Sequence, residues 1–114
     1  SLLSHAVSDE FIKWNTQVAM QASLKATVDC VRAFAYTDFR PDLAAFTVPI
    51  LVIHGTADKT VPIGITAHAV KKAIPSATLI EYEGEPHGVL ATQQARVAQD
   101  LLDFLGATHS LDRF

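Results

Sequence analysis

The sequence predicts an α/β protein, in which helices alternate with the strands of a parallel sheet. Two short apolar segments, residues 48–53 and 77–82, have the length and the β-branched content of strands. Apolar residues at helical spacing lie between these segments and on both sides of them. A strand, a helix and a second strand in this order form a right-handed βαβ unit with parallel strands. The 114 residues, 49% apolar and 18% charged, allow one small globular core.

The N-terminal third of the chain is predicted to be helical. Ser8 is a candidate N-cap, and two acidic residues follow it at the positive end of the helix dipole, so a short helix begins there. From residue 17 to residue 35, apolar residues recur at steps of three and four, which predicts the longest helix of the chain. The single cysteine, Cys30, lies in this pattern and is interpreted as a small buried apolar residue.

The remainder of the chain is predicted to alternate between strands and helices. Residues 48–53 form a continuous apolar run, which is typical of a strand covered on both faces. Residues 63–74 carry a helical apolar stripe that ends at Pro75. The second strand, residues 77–82, precedes a C-terminal helix from about residue 91, and Gly106 is expected to end that helix in a left-handed cap.

A polar loop follows each predicted strand. The loops are Gly-Thr-Ala-Asp at residues 55–58 and Glu-Pro-His-Gly at residues 85–88. Parallel strands end at the same sheet edge, where open α/β sheets bind ligands, so neighbouring strands about 4.8 Å apart bring Asp58 and His87 within hydrogen-bonding reach. A carboxylate that accepts from one imidazole nitrogen leaves the other free to take a proton from a hydroxyl. Asp58 and His87 are therefore predicted to be an acid and a base, although an aspartate after a strand is also a common turn residue.

Composition and spacing exclude several other classes of function. The net charge of -3 and the scattered basic residues give no surface that could follow a nucleic acid. No apolar run approaches the roughly 20 residues of a membrane span, and no secretory signal pattern is present, so a cytoplasmic protein is expected. His54 and His68 could be considered as metal ligands beside Asp58 and His87, but their spacings match no familiar site, and we expect no metal.

The sequence resembles the α/β-hydrolase family, and within it the cofactor-free haloperoxidases and related aryl esterases. Residues 48–55, Asp58, the Val-Pro pair at 61–62 and the loop at 85–88 resemble the last two strands of that family with the acid and base of its catalytic triad. Upstream, three stretches resemble the end of the helical cap and the return to the sheet: residues 19–23, Cys30 and residues 37–43.

This resemblance implies the C-terminal portion of an α/β-hydrolase fold, with cap helices, two parallel strands and two flanking helices, incomplete as a single chain. Residues 1–46 are then the remnant of the helical cap and the return segment. Residues 47–114 are the C-terminal βαβα part of the hydrolase core. The family has its Gly-x-Ser-x-Gly nucleophile in an earlier segment, and this motif does not occur in the present sequence.

The resemblance also implies a chemistry. A serine attacks an ester or acid carbonyl, His87 accepts its proton, and Asp58 holds His87 in place. Peroxide can then intercept the acyl-enzyme to give a peracid, and no metal, haem or other cofactor is needed. The expected function is a portion of a serine-dependent esterase or perhydrolase that is inactive without the nucleophile half.

The predicted two-stranded sheet leads to an expectation about partners. Two parallel strands expose two unpaired edges, and a small asymmetric portion of a fold has close to zero net stability. Obligate association is expected, either with a complementary N-terminal hydrolase half or with copies of the same chain. Two alternative functions stay open: a non-catalytic homo-oligomer, and a free-standing esterase in which the Asp58–His87 pair activates water or a serine of a neighbouring chain.

Overall fold

The computed structural model describes residues 7–111, and the side chains of residues 7–109. Helices and strands alternate in the second half of the chain, and helices alone occupy the first part. The elements are α1 (Asp9–Met20), α2 (Leu24–Tyr36), a 3₁₀ segment (Arg40–Ala45), β1 (Leu51–Gly55), a 3₁₀ turn (Ile63–Ile65), α3 (Ala67–Ala73), β2 (Thr78–Tyr82), α4 (Val89–Thr92) and α5 (Gln94–Leu111). This order confirms the predicted α/β class.

The sheet consists of β1 and β2, which pair in parallel. Leu51 lies opposite Thr78 and Gly55 lies opposite Tyr82, so both strands end at the same edge. Helix α3 connects the strands and contacts both of them, and α5 contacts β1. The predicted βαβ unit is therefore present, with β1 beginning a few residues later than the apolar run at residue 48.

The core beneath this sheet edge is built around Tyr82, which is completely buried. Val89 and Val97 pack with it, and Ile53 and Ile80 contact the same cluster. The Tyr82 hydroxyl donates to Asp100 Oδ2 on α5 at 2.5 Å, and the Arg96 guanidinium lies 3.7 Å from the centre of its ring. Burial and the Asp100 carboxylate raise the pKa of Tyr82 to about 12. These contacts of Tyr82 hold the end of β2 against α5.

The prediction of one long helix over residues 17–35 is wrong. The chain interrupts it at residues 21–23, where Ser23 Oγ accepts a hydrogen bond from the Ala26 N–H at 3.0 Å and begins α2. The apolar spacing continues across the break, so spacing alone does not reveal it. The prediction that Cys30 is buried is also wrong, because Cys30 is exposed and neither α1 nor α2 buries any residue.

The prediction that Gly106 ends the C-terminal helix is wrong as well. Helix α5 continues to Leu111, which makes it the longest helix among the described residues. The glycine with a positive φ in this part of the chain is instead Gly84, at +73°, in the turn that follows β2. A glycine near the end of an apolar repeat therefore does not by itself mark the end of a helix.

The molecule exposes more surface than a closed domain of its size. Its accessible surface is 8808 Å², against roughly 6,100 Å² expected for a folded monomer of 12.3 kDa. Its radius of gyration is 16.6 Å, against about 13 Å for a compact domain of this length. Both values fit a part of a fold whose apolar surfaces lack their usual cover. Among the described helices, none combines the length and the apolar character needed to cross a membrane.

Candidate active site

The loop after β1 continues the sheet hydrogen bonding before it turns. The Thr56 N–H donates to the Tyr82 carbonyl at 3.0 Å, one step beyond the last strand pair. The Asp58 N–H then donates to the Gly55 carbonyl at 3.2 Å and closes a tight turn. These bonds hold Asp58 just outside the carboxyl end of β1.

The loop after β2 packs directly against the first loop. The Ala57 N–H donates to the Glu85 carbonyl at 3.0 Å, and the Gly84 N–H donates to Thr56 Oγ1 at 2.8 Å. A Cβ atom on Gly55 would lie 2.2 Å from the Glu85 carbonyl oxygen and 2.6 Å from that of Pro86. Only glycine at this position permits so close an approach, which sets the distance between the two loops.

The structure brings Asp58 and His87 together, as the sequence predicts. Asp58 Oδ2 and His87 Nδ1 are 2.7 Å apart. The Asp58 side chain is 2% exposed and that of His87 is 44% exposed. Asp58 is at the same time a turn residue, because its Oδ1 accepts the N–H groups of Thr60 at 2.9 Å and Val61 at 2.8 Å. Asp58 therefore uses one carboxylate oxygen for the turn and the other for the hydrogen bond with His87.

The electrostatics of the pair determine which imidazole nitrogen is free. Burial by itself raises the pKa of Asp58, but hydrogen bonds from the Val61 N–H, from His87 and from the Thr60 N–H outweigh it and lower the pKa below its ordinary value. The ionised carboxylate only accepts hydrogen bonds, so His87 Nδ1 carries the proton and donates. His87 Nε2 makes no hydrogen bond within the part of the chain that the structure describes, and in this tautomer it can accept a proton.

A cleft of about 470 Å³ opens beside His87. This volume lies in the range of sites for small organic molecules. Most of the lining is apolar, with two amide side chains, and helix α1 forms one wall of it. The lining residues besides His87 are Phe11, Asn15, Gly88, Leu90, Ala91 and Gln94.

Two residues near the pair have contacts that sequence reasoning did not assign. His54 Nε2 lies 2.8 Å from the Val61 carbonyl oxygen and 3.2 Å from Asp58 Oδ2. The Glu85 carboxylate accepts from Thr92 Oγ1 at 2.6 Å and from Gln93 Nε2 at 2.8 Å, which fastens the His87 loop to the start of the C-terminal helices. For His54 the only sequence signal is its position four residues before Asp58. For Glu85 the sequence carries no signal.

The other histidine considered for metal binding lies apart from this site. His68 on α3 hydrogen-bonds Glu81 on β2 and makes no hydrogen bond to Asp58 or His87. Within residues 7–109, no group of three or more histidine, cysteine, aspartate or glutamate side chains is arranged to hold a metal ion. The site therefore consists of the Asp58–His87 pair, its supporting hydrogen bonds and the adjacent cleft.

Two parallel strands that end in a carboxylate loop and an imidazole loop, with helices packed on the sheet, define part of an α/β-hydrolase fold. The family model described as TAP-like protein (Abhydrolase_4) matches residues 16–111, and the chain belongs to this family.

Similar proteins agree with this assignment and are about three times as long. Over 90 residues the chain is 42% identical to the non-heme chloroperoxidase CPO-A1 of Kitasatospora aureofaciens, covering 77% of this chain and 33% of the relative. It is 35% identical over 94 residues to the bifunctional esterase/perhydrolase DCH of Acinetobacter calcoaceticus, covering 82% and 34%. The crystal structure of a bromoperoxidase from Bacillus anthracis superposes with a TM-score of 0.86 at 41% identity, over 90% of this chain and 37% of that one. The chain thus spans about a third of the length of the curated relatives it matches.

Proposed function

We propose that this chain supplies the acid, Asp58, and the base, His87, of a serine-dependent carboxylic ester hydrolase whose nucleophile lies on another segment. The observation that carries the proposal is the 2.7 Å hydrogen bond between Asp58 Oδ2 and His87 Nδ1. It leaves His87 Nε2 as the proton acceptor beside an apolar cleft. The names of the relatives, which are chloroperoxidases and an esterase/perhydrolase, support the same chemistry.

The proposed reaction is an acyl transfer in two stages. The serine oxygen attacks the carbonyl carbon of the ester while His87 Nε2 takes the hydroxyl proton, and the alcohol then leaves with that proton. Water attacks the acyl-enzyme in the second stage, with His87 again accepting and returning the proton. Asp58 keeps His87 in the Nδ1–H tautomer throughout and stabilises the imidazolium that forms.

The cleft supports a small, largely apolar ester as the substrate. A volume of about 470 Å³ lined mainly by apolar groups suits an aryl or short acyl ester better than a charged one. If hydrogen peroxide replaces water in the second stage, the product is a peracid, and this is the perhydrolase branch of the proposal. Neither branch assigns a metal or an organic cofactor to the chain. We propose a cytoplasmic location, with which a single cysteine and no internal disulfide are compatible.

The test restores a nucleophile and then removes the base. The 114-residue chain is joined to the N-terminal part of an α/β-hydrolase that carries Gly-x-Ser-x-Gly, and hydrolysis of an aryl acetate is measured with water and with added peroxide. We expect His87→Ala to lower kcat/KM by roughly 10²- to 10⁴-fold, since a general base contributes about that much. Asp58→Asn is expected to lower it as well, because the amide no longer selects the tautomer.

His68→Ala is the matched control, because His68 pairs with Glu81 outside the cleft and its loss should leave the rate unchanged. A joined enzyme that hydrolyses the ester equally well with His87→Ala would refute the proposal. If the chain alone hydrolyses the ester at a rate that depends on His87, the free-standing esterase replaces the proposed function. If a serine-directed phosphonate labels neither the chain nor the joined protein, a non-catalytic assembly replaces it.

A further inference from the structure

We infer that His54 is a positioning residue for Asp58. His54 lies on β1, four residues before Asp58, and its side chain is only 13% exposed. Its Nε2 atom faces two oxygens at once, the Val61 carbonyl at 2.8 Å and Asp58 Oδ2 at 3.2 Å. His54 is absent from the lining of the cleft, so it acts on the reaction through Asp58. The inference rests on the proposed function only for its activity measurement.

The chemistry of the two oxygens determines the tautomer of His54. A peptide carbonyl and an ionised carboxylate accept hydrogen bonds and donate none. Nε2 of His54 must therefore carry a proton, which it donates to the Val61 carbonyl, and the same N–H group lies beside Asp58 Oδ2. This is the opposite tautomer to that of His87, whose proton lies on Nδ1.

With His54 included, both oxygens of the Asp58 carboxylate have N–H groups close to them. Oδ1 accepts from the Thr60 and Val61 N–H groups, and Oδ2 accepts from His87 and lies 3.2 Å from His54 Nε2. A carboxylate that is 2% exposed depends on such donors, because water does not reach it and unsatisfied buried charge is costly. The donors to Oδ1 and Oδ2 oppose rotation of the carboxylate about its last bond, and the nearby His54 N–H adds an electrostatic attraction to Oδ2.

His54 holds the loop at both of its ends. Through the Val61 carbonyl it ties the far end of the turn, residues 58–61, back to β1. Its Nε2–H group also attracts Asp58 Oδ2, 3.2 Å away, at the near end of the same turn. The carboxylate that His87 requires is thus anchored to the sheet by a side chain of the strand itself, rather than by the loop alone.

The test compares two amides and an apolar residue at this position. His54→Gln offers an N–H₂ group close to the position of Nε2, with one proton for each oxygen. His54→Leu offers none, and the amide of His54→Asn falls one bond short. The first measurement is nitrogen NMR of the imidazole rings in the isolated 114-residue chain, with His68→Leu as the control that leaves Asp58 untouched. We expect His87 to stay in the Nδ1–H tautomer in the His54→Gln chain and to redistribute between tautomers in the His54→Leu chain.

This spectrum needs no nucleophile, so it decides the inference even if the proposed hydrolase activity fails. A His54→Leu chain that keeps the wild-type His87 spectrum overturns the inference, and so does a His54→Gln chain that loses it as completely as the leucine variant. If circular dichroism shows that the leucine variant does not fold, His54→Asn takes its place. We then expect the His87 tautomers to redistribute in the His54→Asn chain and not in the His54→Gln chain, and equal spectra in these two chains overturn the inference.

The second measurement uses the enzyme completed with a nucleophile segment. We expect His54→Leu to lower kcat by about 10- to 100-fold, the range known for residues that orient the ligands of metal sites, and to leave KM unchanged. His54→Gln should recover most of the loss. An active completed enzyme in which His54→Leu has the wild-type kcat overturns the inference.

Discussion

Asp58 shows at the residue scale how one side chain closes a turn and holds an imidazole. The sequence suggested both uses, because an aspartate after a strand is a frequent turn residue and a histidine follows the next strand. The structure assigns one oxygen to each use. The sequence could not predict that a second imidazole, His54, lies beside Asp58. In the sequence His54 is an ordinary strand residue, and the contact arises only because the following loop folds back over it. Contacts of this kind depend on the path of a turn, which apolar spacing does not encode.

The lowered pKa of Asp58 predicts how stability changes with pH. The ionised Asp58 carboxylate is stabilised more in the folded chain than in the unfolded chain, where the pKa of an aspartate is about 3.9. The stabilisation is therefore complete above the unfolded pKa and is lost as pH falls through the lower, folded value. Urea unfolding from neutral pH to about 3 should show that the free energy of unfolding falls more steeply at the acidic end in the wild type than in Asp58→Asn.

The control variant is Asp42→Asn, because Asp42 is an exposed aspartate on the 3₁₀ segment. An Asp58→Asn chain with the same acidic slope as the wild type would contradict the prediction.

At the scale of elements, the site depends on how closely two loops approach each other. The βαβ order of the sequence was enough to predict that β1 and β2 are neighbours and end together. The sequence pattern was not enough to predict the boundary between α1 and α2. The apolar spacing continues through the break at Ser23, so it does not separate the two helices. Strands with continuous apolar composition were therefore predicted better than solvent-exposed helices, whose boundaries depend on single capping side chains.

The close contact at Gly55 predicts the effect of one added methyl group. In Gly55→Ala the new Cβ meets the carbonyl oxygens of Glu85 and Pro86, which are backbone atoms and cannot swing aside. We expect a loss of about 1 to 3 kcal/mol in the free energy of unfolding and a displaced His87 loop, visible as a changed His87 imidazole spectrum. Gly64→Ala is the matched control, because nothing lies within 4 Å of its new Cβ. Equal stability and equal spectra in the two variants would show that the loops are not in close contact.

At the scale of the whole molecule, the large exposed surface and the short length relative to similar proteins both indicate part of a larger fold. The chain spans about a third of the relatives it matches and exposes 8808 Å² of surface. Much of the exposed apolar surface lies on α1 and α2, where Met20, Leu24 and Phe34 are 79%, 81% and 78% exposed. The sequence predicted this incompleteness through the two unpaired sheet edges and the missing nucleophile motif. It did not predict that the N-terminal helices would be the most exposed elements, since their apolar stripe reads as a buried face.

We therefore propose that the chain exists in association, and the preferred partner is a hydrolase segment that carries the nucleophile. Sedimentation equilibrium should show oligomers of the isolated chain, and a one-to-one complex with cooperative unfolding when the nucleophile segment is present. Phe34→Glu places a charge on the exposed apolar face of α2 and should weaken association by about tenfold or more, because burial of a phenylalanine contributes about 1.5 to 3 kcal/mol. Thr27→Glu adds the same charge at an exposed polar position of α2 and should have a smaller effect. An isolated chain that is a monodisperse monomer and unfolds cooperatively would contradict this prediction, since its apolar helices would then be stable without a partner.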